Sequence, residues 1–206
     1  MNHAVSDSPG VRECHCLFTY NNSVYLFGGH IKWNTWAVNS FFHTAKMPFI
    51  TSSIPWVALN TTNAVNTCDM TCVVEPSMGL LLVIGGSWAQ DPGYEGLQVY
   101  NFKSNVWNEA QYLVGYPSAI GMGIFQPRSV LIEPGIVLIW GGTRHPSTLR
   151  VIYKLNMTVT PWKWEPIVQN MTTVLNSVGI SRSRERVFIF GGIDKVNVPS
   201  TTVGEE

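Results

Sequence analysis

Four segments of this 206-residue chain repeat one pattern: an apolar stretch, a polar turn, a second apolar stretch, then Gly-Gly. They span 16–29, 71–86, 128–142 and 176–192. The doublets are Gly28-Gly29, Gly85-Gly86, Gly141-Gly142 and Gly191-Gly192, and their first glycines lie 57, 56 and 50 residues apart. Self-similarity at such a period marks a repeat architecture, in which each unit buries its faces against its neighbours. The apolar stretches are short and rich in Val, Ile, Leu and Phe, which suits strands buried on both faces better than helices. The separators Asn21-Asn22-Ser23, Pro76 to Gly79, Pro134-Gly135 and Ser181 to Arg186 are turn formers. Each segment therefore reads as an antiparallel hairpin. Glycine after a strand allows a positive φ or a close backbone approach.

The second half of each unit is also visible. Leu97 to Phe102 is followed by a turn at Lys103-Ser104-Asn105 and by Val106-Trp107. Leu149 to Leu155 is followed by a turn near Asn156 to Pro161 and by Trp162-Lys163-Trp164. The first unit is looser, with Ser40-Phe41-Phe42, a long polar stretch, then Ile54-Pro55-Trp56. A unit is thus four short strands, A to D, with Gly-Gly closing B and a Trp opening D. Four-stranded sheets repeated in this way suggest the blades of a propeller.

The pattern resembles the kelch repeat, whose signature is an apolar strand ending in Gly-Gly, then a Tyr, then a Trp about seven residues later. Tyr100 and Trp107 match that spacing, whereas Tyr153 and Trp162 are two residues further apart. The insertion from Phe41 to Trp56 looks like the first blade of fungal extracellular kelch proteins. The resemblance implies an all-β, kelch-type β-propeller over residues 11–195, with residues 1–10 and 196–206 as disordered ends. Counting A-B-C-D three times and then A-B makes about three and a half four-stranded blades, fewer than a closed ring uses. Three explanations stand: a truncated fragment of a longer propeller, for which a non-functional product is an alternative reading, a ring completed by self-association, or a four-bladed ring with an imperfect last blade. The resemblance also implies an alternative activity, because galactose-oxidase-type propellers carry a copper radical site built from Tyr and His. Cys14, His15 and Cys16 are a poor match to such a site, so no catalytic, metal or cofactor residue is expected.

Charge and hydropathy remove further classes. Lys plus Arg equals Asp plus Glu at 13 each, so recognition of nucleic acid through bulk charge is disfavoured. The longest apolar runs, Leu80 to Ile84 and Ile136 to Trp140, fall far short of the ~18 residues of a spanning helix. Met1 to Gly10 is polar and lacks the apolar core of a secretory signal. Cys14, Cys16, Cys68 and Cys72 lack the paired spacing of a zinc site, and as disulfides they allow three pairings.

Candidate recognition residues fall in the B–C loops, 30–39, 87–96 and 143–148. These loops are longer than the A–B turns and carry Trp33, Trp36, Trp88, Arg144 and His145. Loop aromatics are favoured material for recognition, so this face is expected to bind a protein or a glycan. His30 and His145 share the face and read as exposed loop histidines. The basic run Ser181 to Arg186 reads as a solvated turn. Sequons at Asn21, Asn60, Asn156 and Asn170 lie at turns or connections, where glycosylation needs them. An extracellular or membrane-anchored protein is expected if the chain is a fragment, and a cytoplasmic one if its N-terminus is intact.

Overall fold

Asn21 and Asn22 turn the first hairpin with φ of 44° and 57°. Two successive positive φ values suit the right-handed twist of the flanking strands, and Asn tolerates them well. The computed structural model describes residues 12–30, 42–49, 54–65, 67–87, 96–107, 126–144, 147–148, 151–169, 180–183 and 186–189. Among them there is no helix. Three four-stranded antiparallel sheets form, each in simple chain order. The first is β1 (Cys16–Tyr20), β2 (Ser23–Phe27), β3 (Phe42–Lys46) and β4 (Val57–Ala58). The second is β5 (Cys68–Glu75), β6 (Leu80–Ser87), β7 (Leu97–Asn101) and β8 (Val106–Trp107). The third is β9 (Arg128–Glu133), β10 (Ile136–Trp140), β13 (Val151–Asn156) and β14 (Lys163–Gln169). Two short hairpins complete the set: β11 (Thr143–Arg144) with β12 (Ser147–Thr148), and β15 (Ile180–Ser183) with β16 (Arg186–Ile189).

All four Gly-Gly segments contain the expected hairpin, and the second and third units supply C and D where expected. The first unit differs. Its strand C continues to Lys46 through residues expected as a polar stretch, because Phe42 to Lys46 pair residue by residue with Phe27 to Ser23, while Ser40 and Phe41 lie outside the described residues. Its strand D follows Trp56 instead of starting on it. Trp107 closes β8, and Trp162 precedes β14, so the Trp marks the neighbourhood of D rather than its first residue. In the second unit strand B continues through both glycines to Ser87, held by the Cys68–Ser87 and Met70–Gly85 pairs. Most of the basic run expected as a turn is strand: Ser181 to Ser183 pair with Arg186 to Phe188.

Side-chain alternation explains how the sheets stack. Leu80, Leu82, Ile84, Val73, Leu97 and Val99 join Val137, Ile139, Tyr153 and Leu155 of the third sheet in one core. On the opposite face, Leu81, Val83, Met70, Tyr100 and Trp107 join Cys16, Phe27 and Phe42 of the first. The middle sheet is thus covered on both faces, which is why its strand B reads Leu-Leu-Leu-Val-Ile without a polar break. The A strands adjoin one another, β1 beside β5 and β5 beside β9. A disulfide, Cys16–Cys72, links β1 to β5 with Cα atoms 6.0 Å apart.

The edge that carries the A–B turns has its own fastener. Glu75 ends β5 and is fully buried. Its carboxylate accepts hydrogen bonds from Ser77 N (2.9 Å), from the Ser77 hydroxyl, and from Gly135 N of the third sheet's turn (2.8 Å). Burial pushes its pKa up, but the Gly135 and Ser77 donors outweigh burial and hold it below the ordinary carboxylate value. A depressed carboxylate contributes stability above its unfolded pKa and loses it as pH falls through the folded one. Glu75→Gln should therefore cost about 2 kcal/mol at neutral pH and reduce the loss of stability on acidification. Denaturant unfolding of both proteins at neutral and acid pH checks this. Identical acid profiles would show that Glu75 does not link the turns.

Candidate functional site

The opposite edge, where B strands leave and A strands enter, gathers the polar groups. Each sheet enters its strand A through one residue in the left-handed region: Cys14 (φ 58°), Asp69 (φ 57°) and Gln126 (φ 57°). Asp is at ease there; Cys and Gln are less so, and such backbone strain concentrates at functional sites. The three are joined from sheet to sheet. Asp69 N donates to Cys14 O at 3.2 Å, and Gln126 N donates to Asp69 O at 2.6 Å. The repeat thus builds a backbone ladder across the sheets, with one rung per unit.

The ladder's side chains converge on Asp69. Gln126 Nε2 donates to Asp69 Oδ1 at 3.1 Å, and Cys68 Sγ lies 3.9 Å from Oδ2. Cys14 also hydrogen-bonds this carboxylate, and its thiol is pushed up to about 12, first by burial and then by Asp69. Cys14 is therefore a neutral donor at physiological pH, not a nucleophile. Burial lowers the pKa of the Arg128 guanidinium, and the Asp69 charge opposes that shift. At the first sheet, Glu13 and His30 exchange two backbone hydrogen bonds of 3.1 Å, and their side chains meet at 3.1 Å. Arg12 Nη1 donates to Gly28 O at 3.3 Å. His30, expected as an exposed loop histidine, is largely covered and paired with Glu13.

The glycine doublets make this edge geometrically feasible. Gly28, Gly29, Gly85, Gly86, Gly141 and Gly142 all have positive φ. Gly29 N donates to Thr67 O at 3.1 Å, so the exit of the first sheet touches the entry of the second. Gly191 and Gly192 lie outside the described residues.

The other expected site residues divide three ways. Tyr100, Trp107, Tyr153 and Trp162 are core residues. Tyr100 and Trp107 sit opposite each other on β7 and β8 with ring centroids 5.0 Å apart. Trp107 Nε1 donates to Asn60 O at 3.2 Å, and Tyr100 Oη to Asn105 Oδ1 at 2.9 Å. Arg144 lies on β11 opposite Ser147, so the third B–C connection contains a small hairpin where a plain loop was expected. Trp33, Trp36, Trp88 and His145 lie outside the described residues. Among the sequons, Asn21 and Asn60 are exposed and Asn156 is half-buried. The Oδ1 atoms of Asn60 and Asn156 accept from Thr62 and Thr158 respectively, and Asn170 lies outside the described residues. Among the described residues, no group of three or more His, Cys, Asp or Glu is placed to hold a metal ion.

Sequence reasoning missed Cys14, Asp69 and Gln126 as a set. Their signal was position: each stands one or two residues from the start of a strand A, at a spacing that follows the Gly-Gly period. Their side chains share no chemistry, so a search for a repeated residue type passes over them.

No family model matches the chain, and no curated protein matches it. Among the solved structures that resemble it is that of YjhT, with a TM-score of 0.66 and 14% sequence identity. The match covers 88% of this chain and 59% of the YjhT chain, so this chain spans well under two thirds of that one. At that identity the likeness is one of fold.

Proposed function

We propose that the chain forms blades of a kelch-type β-propeller and serves as a non-catalytic scaffold that binds a protein or glycan partner. The binding surface is the edge from which the connections after the Gly-Gly strands emerge. The observation that carries this reading is the ladder. Cys14, Asp69 and Gln126 share one backbone conformation and one hydrogen-bond pattern, yet bear a thiol, a carboxylate and an amide. Positions that serve packing repeat their side chains, as the glycine doublets do. Positions that repeat only their backbone are free to carry recognition chemistry on a rigid frame. The stacking of three sheets through adjoining A strands supports the propeller part of the reading.

Trp33 and Trp88 supply apolar anchors from the adjacent connections. A glycan array and a display library of extracellular proteins are the screens. Against any ligand they return, Trp33→Ala and Trp88→Ala should each weaken binding about tenfold or more, as interface aromatics do, and leave the unfolding midpoint unchanged. Unchanged binding with a lowered midpoint would make these residues packing groups and remove the loop face as the binding surface.

A further inference from the structure

Two of the four cysteines lie outside the Cys16–Cys72 bond, and both stand at the entry of a strand A. Cys68 Sγ lies 3.9 Å from Asp69 Oδ2, and the Cys14 thiol hydrogen-bonds the same carboxylate. The backbones are joined as well, because Asp69 N donates to Cys14 O at 3.2 Å. The Cys14–Cys68 pair therefore crosses between the same two A strands as the existing disulfide, one step nearer the Gly-Gly edge. The two thiols share one carboxylate, on backbones tied by a hydrogen bond, and a disulfide between them requires Cα atoms about 4.4–6.8 Å apart.

We propose that Cys14 and Cys68 are a dithiol that closes a second inter-sheet disulfide beside Cys16–Cys72. The oxidant is a small-molecule disulfide such as oxidised glutathione. A Cys14 or Cys68 thiolate attacks the donor disulfide, forming a mixed disulfide and releasing one glutathione thiolate. The second protein thiol then displaces the other glutathione. One protein S–S bond forms, one donor S–S bond is reduced to two thiols, and the two protons lost by the cysteines are taken up by glutathione. The environment that keeps Cys16–Cys72 oxidised supplies such donors. Closure takes two thiol donors off Asp69, whose Oδ1 still accepts from Gln126 Nε2, and so alters the polarity of the ladder edge.

The test uses the whole chain with Cys16–Cys72 intact. It is incubated with oxidised glutathione, then alkylated and weighed. Protein that has not met the oxidant should take up two alkyl groups, and oxidised protein none, with a mass two hydrogens lower and no glutathione adduct. Tryptic cleavage after Lys32 and Lys46 together with cleavage before Asp69 separates Cys68 from both Cys14 and Cys72, so the Cys68 peptide should stay attached to the Cys14 peptide until reduction. Because the Cys14 thiol is pushed up to about 12, closure led by Cys14 should quicken about tenfold per pH unit between pH 7 and 9. Cys14→Ser should instead retain one glutathione on Cys68. Two glutathione adducts on the wild-type chain, or two alkylatable thiols at every glutathione ratio, would overturn the proposal.

Discussion

Gly28→Ala is expected to cost about 4 kcal/mol, enough to remove most of the stability of a typical domain. Two effects add. At φ 69° an L-residue with a Cβ pays about 1–2 kcal/mol for the left-handed conformation. The new methyl would also stand 2.6 Å from Thr67 O and against Met70 Cε, both belonging to the entry of the second sheet. Thr67 O is held by its hydrogen bond from Gly29 N and cannot move aside as a flexible side chain can, so the strain of overpacking, about 1–3 kcal/mol, is met in full. Gly86→Ala should behave alike, because its Cβ would meet the Thr67 hydroxyl and stand 2.8 Å from Cys68 O. By contrast, Gly79→Ala, in a turn where the nearest atom is Lys103 Cε at 3.4 Å, should cost only the left-handed penalty. Denaturant midpoints of the three variants check the order. Equal losses at Gly28 and Gly79 would mean that close approach between sheets contributes nothing.

Reduction of Cys16–Cys72, or the double replacement Cys16→Ala with Cys72→Ala, is expected to cost a similar amount. The bond closes a loop across 56 residues of sequence, and constraint of the unfolded chain by such a loop is worth about 4 kcal/mol. The bond also stands where the first sheet meets the second, beside the aromatic cluster of Phe27, Phe42, Tyr100 and Trp107. Those rings lie 4.8–5.4 Å apart in the Phe27–Trp107, Phe42–Tyr100 and Phe42–Trp107 pairs, so their separation should be visible in tryptophan emission. Unfolding in denaturant with and without reductant measures the effect. Coincident curves would show that aromatic packing alone holds the two sheets together.

Much of the hairpin framework was legible because strand, turn and glycine each leave a local mark. Asn21-Asn22 and Pro134-Gly135 specify turns by their own conformational preferences, and Leu80 to Ile84 shows by its unbroken apolar run that both faces are covered. The reach of strand β3 to Lys46 was missed for the converse reason. His-Thr-Ala-Lys looks like loop in isolation, and it becomes strand because Ser23 to Leu26 offer it a paired edge. The basic run near Arg182 was misread in the same way, since pairing between Ile180–Ser183 and Arg186–Ile189 outweighs its composition.

The candidate site was far less legible. Glu75 and Glu133 occupy matching places before a proline, and only Glu75 is buried, because the turn containing Gly135 lies over it. His30 reads as an exposed loop residue until Glu13 pairs with it across the entry of the first sheet. The four cysteines allowed three pairings on paper, and the adjacency of β1 and β5 selected Cys16 with Cys72.

The sequence by itself determined the repeating unit, its four hairpins and the glycines that let neighbouring units approach, because these rest on preferences that act within a few residues. The tertiary structure alone decided which thiols meet, which glutamate is buried, and that Cys14, Asp69 and Gln126 form one ladder. Those outcomes depend on distances between residues more than fifty positions apart, and such distances exist only once the sheets have stacked.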